Sequence, residues 1–305
     1  MRRRPFVEHS KKPFILIVAW VAILASSLPH IILQELFHYK VPEELQVGLP
    51  GLIALAGFGL TFLWQAIRPL RSFFGLLIVL VGAQWLVYTQ VDRLPFYQSW
   101  LHNPSFNVYM LAEQSLRLMV TLAVIAVLFA VKKKASAFFL VKGDTAAPVE
   151  PVNWLGSKPG ERWNTFGRNF AFFISLGTLA FLVIAGRPPL DIVIRAIPFI
   201  PAILLAAALN AFSEEMTFKA SFLSVLEGPA GRSQSLLLMA AFFGIGHYYG
   251  VPYGIIGVLM ASFLGWLLGK SMLETRGLFW AWFIHFWQDV LIFSFLAIGS
   301  ITPGG

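Results

Sequence analysis

Only 12% of the 305 residues are charged, 23 Lys and Arg against 15 Asp and Glu, while 57% are hydrophobic and the mean hydropathy is +0.73. Soluble proteins carry about 25% charge, so this composition excludes a soluble globule, and the apolar content excludes a disordered chain. The absence of Cys excludes disulfides, thiol nucleophiles and thiolate metal sites, and any metal would have to be held by His and carboxylates.

A spanning helix needs about 20 mostly apolar residues, and the chain offers nine such runs. In order they are Pro13 to Leu33, Gly48 to Ile67, Ser72 to Val91, Val108 to Val131, Thr165 to Ala185, Pro201 to Leu226, Ser233 to Tyr248, Tyr253 to Leu268 and Leu278 to Ile298. Runs such as Phe14 to Ala25 are apolar on every side, whereas barrel strands alternate. The sequence therefore predicts an all-α, polytopic transmembrane helical bundle of eight to nine spans. Its weak point is Gly186 to Ile200, where Pro188, Pro189 and Pro198 suggest an interfacial or re-entrant piece. The first run continues past Pro29 to Leu33 and reads as a signal anchor rather than a cleaved leader.

Lys and Arg mark one side of the bundle. An N-terminus inside the cell gathers Arg2, Arg3, Arg4, Lys11, Lys12, Arg68, Arg71, Lys132 to Lys134, Lys142, Lys158, Arg162, Arg232, Lys270 and Arg276 on the cytoplasmic side. That leaves Lys40, Arg93 and Arg187 opposite. The net charge of +8 then reads as topology and contact with the lipid bilayer, not as a nucleic-acid footprint. Nine crossings place the C-terminus outside. The short basic arm fits a bacterial plasma membrane. Residues 132–164, with Gly, Pro and charges interleaved, read as a cytoplasmic linker between an N-terminal four-helix region, 1–131, and a C-terminal region, 165–305.

Ionisable groups inside spans are costly and point to function. Glu113 and Arg117, and again Asp191 and Arg195, are four apart and read as internal ion pairs. The C-terminal region differs, because polar clusters fall in three separate runs: Glu214 and Glu215 with Lys219, Phe243 with His247, and His285 with Asp289. Counted from Glu227, Arg232 and Arg276, their depths come to about 14 to 22 Å at 1.5 Å per residue. All of them can therefore meet. Glu215 and Lys219 share a helix face, which turns Glu214 about 100° away and frees it to face water.

Those residues resemble the EExxxR, FxxxH and HxxxN/D motifs of the prenyl-CAAX protease and bacteriocin-processing (Abi) family of intramembrane proteases, over about 201–298. Lys219 stands where the family usually has Arg, and Asp289 lies within the family's range. The resemblance implies an intramembrane endopeptidase acting on a membrane-associated peptide or protein substrate. It implies Glu214 as general base assisted by His247, with His285 and Asp289 at the oxyanion and Glu215 paired to Lys219. A Zn2+ ion is open: the chain has no HExxH, but His247, His285 and a carboxylate could form a three-ligand site. Two further readings stay open, a protease-like membrane regulator or scaffold, and a proton-coupled transporter. The second would be expected to show repeated halves, and the sequence shows no such symmetry.

Overall fold

The structure, a computed structural model, describes residues 12–301. The basic arm with Arg2, Arg3, Arg4 and Lys11, and the tail after Ile301, lie outside the described residues. The protein is an all-helical membrane bundle, as its apolar runs predict: in lipid every backbone N–H and C=O must be satisfied within the segment. The N-terminal helices are α1 (Lys12–Leu36), α2 (Glu43–Leu63), α3 (Arg71–Leu86), the short α4 (Pro95–Leu101) and α5 (Phe106–Lys132). After the linker come α6 (Trp163–Gly186), α7 (Leu190–Ala196), α8 (Ile200–Glu214), α9 (Ser221–Ala230), α10 (Arg232–Ile245), α11 (Ile255–Thr275) and α12 (Phe279–Ile301).

Among the described residues, eight helical segments are long and apolar enough to cross a membrane. The run expected over Ser233 to Tyr248 is the exception. Its helix, α10, has 14 residues, a rise of about 21 Å at 1.5 Å per residue, short of a hydrocarbon core of about 30 Å. The chain breaks at Gly246 and returns through a loop as α11. Tyr253 in that loop hydrogen-bonds Glu35 at the end of α1, which pushes its phenol up to about 12. The Pro-rich segment at 186–200 makes no crossing of its own. It supplies α7 and a 3-10 turn, Ile197–Phe199, that lead into α8 within one helical run, Leu190–Ala230. Asp191 and Arg195 both stand exposed on α7.

One hydrophobic core draws on both halves of the chain. Ala19, Phe73, Leu116 and Val124 meet Met216, Phe222, Leu268, Met272 and Ile284 in it. By contrast, Phe172, Phe173, Leu176 and Ile184 on α6 are exposed, a face suited to lipid rather than water.

The linker is seated on one end of the bundle. The Leu278 N–H donates to the Val141 carbonyl and the Asp144 N–H to the Thr275 carbonyl, both at 2.8 Å. Indole N–H groups fasten it further: Trp280 to the Thr145 carbonyl at 2.9 Å, and the fully buried Trp163 to Glu274 at 2.7 Å. Lys270, paired with Glu274, also donates to the Glu150 carbonyl at 2.8 Å. This contact requires two glycines. Gly143 has φ +78°, and a Cβ there would come within 2.6 Å of the Thr275 carbonyl oxygen and 2.7 Å of the Gly277 backbone.

Gly143→Ala should therefore lift the linker from the bundle, lowering the unfolding midpoint in detergent and speeding proteolysis within 132–164. The cost should be about 1–3 kcal/mol, the range for overpacking. Gly177→Ala, on a helix with nothing near its Cβ, is the neutral control; equal behaviour of the two would show that the contact does not hold the linker.

Candidate active site

Three helical runs deliver the six ionisable motif side chains. Glu214 closes α8, and Glu215 opens a π-helical turn, Glu215–Ala220, that carries Lys219. His247 follows the end of α10, and His285 and Asp289 lie four apart on α12. π turns are rare and recur at functional sites. This one interrupts the helix at the carboxylate pair.

Glu215 and Lys219 have no solvent exposure, and the Lys219 Nζ stands 2.8 Å from Glu215 Oε1. The same ammonium lies 3.4 Å from the centre of the Phe243 ring, a cation–π contact that strengthens as water is removed. Glu215 Oε1 also accepts a hydrogen bond at 2.7 Å from His285 Nδ1. Phe243 reaches this position because α10 and α11 run close together. A Cβ on Gly244 would collide with Ser262 Oγ, and one on Gly265 would come within 3.0 Å of the Phe243 ring.

The two imidazoles are oriented in the same way. A carbonyl can only accept, so the 2.8 Å contact of His247 Nδ1 with the Phe243 carbonyl assigns its hydrogen to Nδ1. The carboxylate of Glu215 does the same for His285. Each ring thus turns Nε2 towards Glu214 Oε2, at 4.0 Å from His247 and 3.7 Å from His285. His285 Nε2 is also 3.6 Å from Asp289 Oδ1. These separations exceed direct hydrogen bonds. They enclose a point that several polar atoms face.

Glu214 opens onto a cavity of 570 Å³, shared with His247 and Phe243. Its far wall comes from the N-terminal helices, with Ser26 and His30 on α1, Gln46 on α2 and Leu80 on α3. Among the described residues, no group of three or more His, Asp and Glu side chains is arranged to hold a metal ion.

Two residues reach the site that the sequence did not place there. Asn210, one turn before Glu214, donates to Asp289 Oδ2 at 3.0 Å and to Glu214 Oε1 at 3.4 Å. Its i,i+4 spacing from Glu214 was the available signal. Arg117, expected to pair within its own helix, is 3.9 Å from Glu113 but also 3.4 Å from Glu214 Oε1. Nothing in local spacing discloses that second contact, which joins residues 97 apart in sequence.

Removing one partner of a buried ion pair costs about 3–5 kcal/mol, because the other charge is left stranded. Lys219→Ala should thus destabilise the parent protein by about that much, and clearly less in a Glu215→Gln background. Unfolding in detergent across the four proteins of the cycle measures it, and additive losses would mean that the pair does not interact.

Residues 196–291 match the family model described as Rce1-like, type II CAAX prenyl endopeptidase Rce1-like. No curated protein and no solved structure matches the chain. The matched segment contains all three motifs. The chain is therefore an integral membrane protein that carries, over about a third of its length, a domain of the Rce1-like type II CAAX prenyl endopeptidase family.

Proposed function

We propose that the protein is an intramembrane endopeptidase that hydrolyses peptide bonds of membrane-associated peptides or proteins, with Glu214 as general base. The observation that supports this most is the pair of Nε2 atoms facing one carboxylate oxygen, Glu214 Oε2, at the edge of a cavity. Gaps of 3.7 and 4.0 Å between polar atoms suit a bridging water. Such a water would donate one hydrogen to Glu214 Oε2 and the other to His247 Nε2, leaving an oxygen lone pair for the scissile carbonyl. As the C–O bond forms, Glu214 takes the proton. It returns that proton to the amide nitrogen as the C–N bond breaks, giving an amine and a carboxylic acid that keeps the second hydrogen of the water until it ionises in solvent.

The oxyanion needs a donor. His285 already gives its Nδ1 hydrogen to Glu215, so it donates from Nε2 only as an imidazolium, a charge surrounded by Glu214, Glu215 and Asp289. Asp289 can take that part only when protonated, because a carboxylate has no hydrogen to give. As arranged, the described residues do not form a Zn2+ site.

The distribution of Lys and Arg supports a cytoplasmic linker, and the short basic arm fits a bacterial plasma membrane. Lys219 does not by itself argue for a regulator that has lost catalysis, since it reaches Glu215 and Phe243 within the buried site.

The test is cleavage of membrane-anchored peptides by the purified protein. Glu214→Gln keeps the shape of the side chain and removes the base, so it should lower kcat by about 10²–10⁴-fold, with the unfolding midpoint unchanged. His247→Ala and His285→Ala should also abolish most activity, and combining His247→Ala with Glu214→Gln should cost little more than either alone. Chelators should have no effect. Inactivation by chelator with recovery on Zn2+ would replace the metal-free mechanism, and a stably inserted Glu214→Gln protein that cleaves normally would remove Glu214 from it.

A further inference from the structure

The three motifs do not explain which oxygen of each carboxylate acts. The terminal torsion of a carboxylate side chain is broad and two-fold, so neither Glu214 nor Asp289 selects its own orientation. In the structure the donors fall on one oxygen of each. Asn210 Nδ2 and Arg117 Nη1 both lie 3.4 Å from Glu214 Oε1, and Asn210 Nδ2 is 3.0 Å from Asp289 Oδ2. The other two oxygens, Glu214 Oε2 and Asp289 Oδ1, are the ones that face His285 Nε2, at 3.7 and 3.6 Å.

We infer that Asn210 and Arg117 are positioning residues that hold Glu214 Oε1 and Asp289 Oδ2, so that Oε2 and Oδ1 are presented to the histidines. This rests on the reading of Glu214 as the base. Asn210 is suited to the task because one amide bridges both carboxylates while buried to 6% exposure, where bulk water does not compete. Arg117 is held from the other side by Glu113 at 3.9 Å. One turn further along α5, Thr121 Oγ1 meets Thr217 Oγ1 at 2.9 Å, which fixes the register of α5 against the π turn. The second clamp therefore comes from a helix outside the matched segment, so the N-terminal half completes the site.

A residue that acts only by orienting the base changes the chemical step and not substrate binding. With a peptide that the parent protein cleaves, Asn210→Ala and Arg117→Ala should each lower kcat by about 10–100-fold, the scale of an ångström-level misplacement, with KM within about twofold. Unfolding midpoints measured alongside separate a loss of fold from a loss of rate. Arg117→Lys, which keeps the charge without the planar fork, should recover part of the lost kcat, and Asn210→Ser offers a milder loss if the alanine variant does not fold. An unchanged kcat would overturn the inference. So would a rise in KM at constant kcat, the signature of Arg117 binding substrate from the cavity it lines.

If the parent protein cleaves nothing, the reading of Glu214 as base fails and the geometry is tested separately. The infrared carboxylate stretch of Glu214, isolated as the difference between the parent and Glu214→Gln, should shift in both the Asn210 and the Arg117 variants. A band unmoved by either substitution would overturn the inference without reference to activity.

Discussion

Everything at the site depends on Glu215, a carboxylate with no exposure whose Oε1 meets both an ammonium and an imidazole. An isolated buried charge is prohibitively costly in a low-dielectric interior, so Glu215 is tolerable only while Lys219 and His285 stay in place. That requirement fixes three elements relative to one another: the π turn, α12 through His285, and α10 through the Phe243 ring above Lys219. Because Glu215 takes the Nδ1 hydrogen of His285, it also decides which nitrogen of that ring is left for chemistry. Glu214 is the more chemically exposed of the two glutamates because its neighbour takes over the structural work.

Much of this was legible in the sequence, for reasons that can be named. Runs without a polar face gave the helices. The i,i+4 spacings of Glu215 with Lys219 and of His285 with Asp289 gave the shared faces, and residue counts from flanking charges gave depths at which the clusters could meet. Three things were hidden. Hydropathy does not separate a full crossing from a shortened one, so α10 read like its neighbours although its helix stops at Ile245. Arg117 read as the partner of Glu113 because local spacing offers a nearby acceptor and is silent about α8. Asn210 carries no charge and draws no attention in an apolar run, yet it touches two of the carboxylates.

The linker shows the same gap between composition and contact. Gly, Pro and charge interleaved suggest a tether, but composition reports only that a segment has no periodic apolar face. Residues 132–164 use specific partners instead: indole N–H groups, backbone bonds to Thr275 and Val141, and a close approach of two glycine backbones. These contacts gather around the start of α12, six residues before His285, so the linker braces the helix that carries part of the site.

The π turn at Glu215–Ala220 has a consequence for chain length at this point. Such a turn is an α-helix that has absorbed one extra residue, and each α-helical residue advances the phase by 100°. Upstream of it, Glu214 faces the histidines and Asn210 bridges Glu214 to Asp289; downstream, Phe222 and Leu226 are fully buried in the core. Were the same number of residues to close as ordinary α-helix, without the wide turn, one set would rotate against the other by about 100°. Either the carboxylate would leave the histidines or the phenylalanine would leave the core. The residue count and the geometry of the segment are therefore matched: the present count belongs with the wide turn, and one residue fewer would belong with an ordinary α-helix.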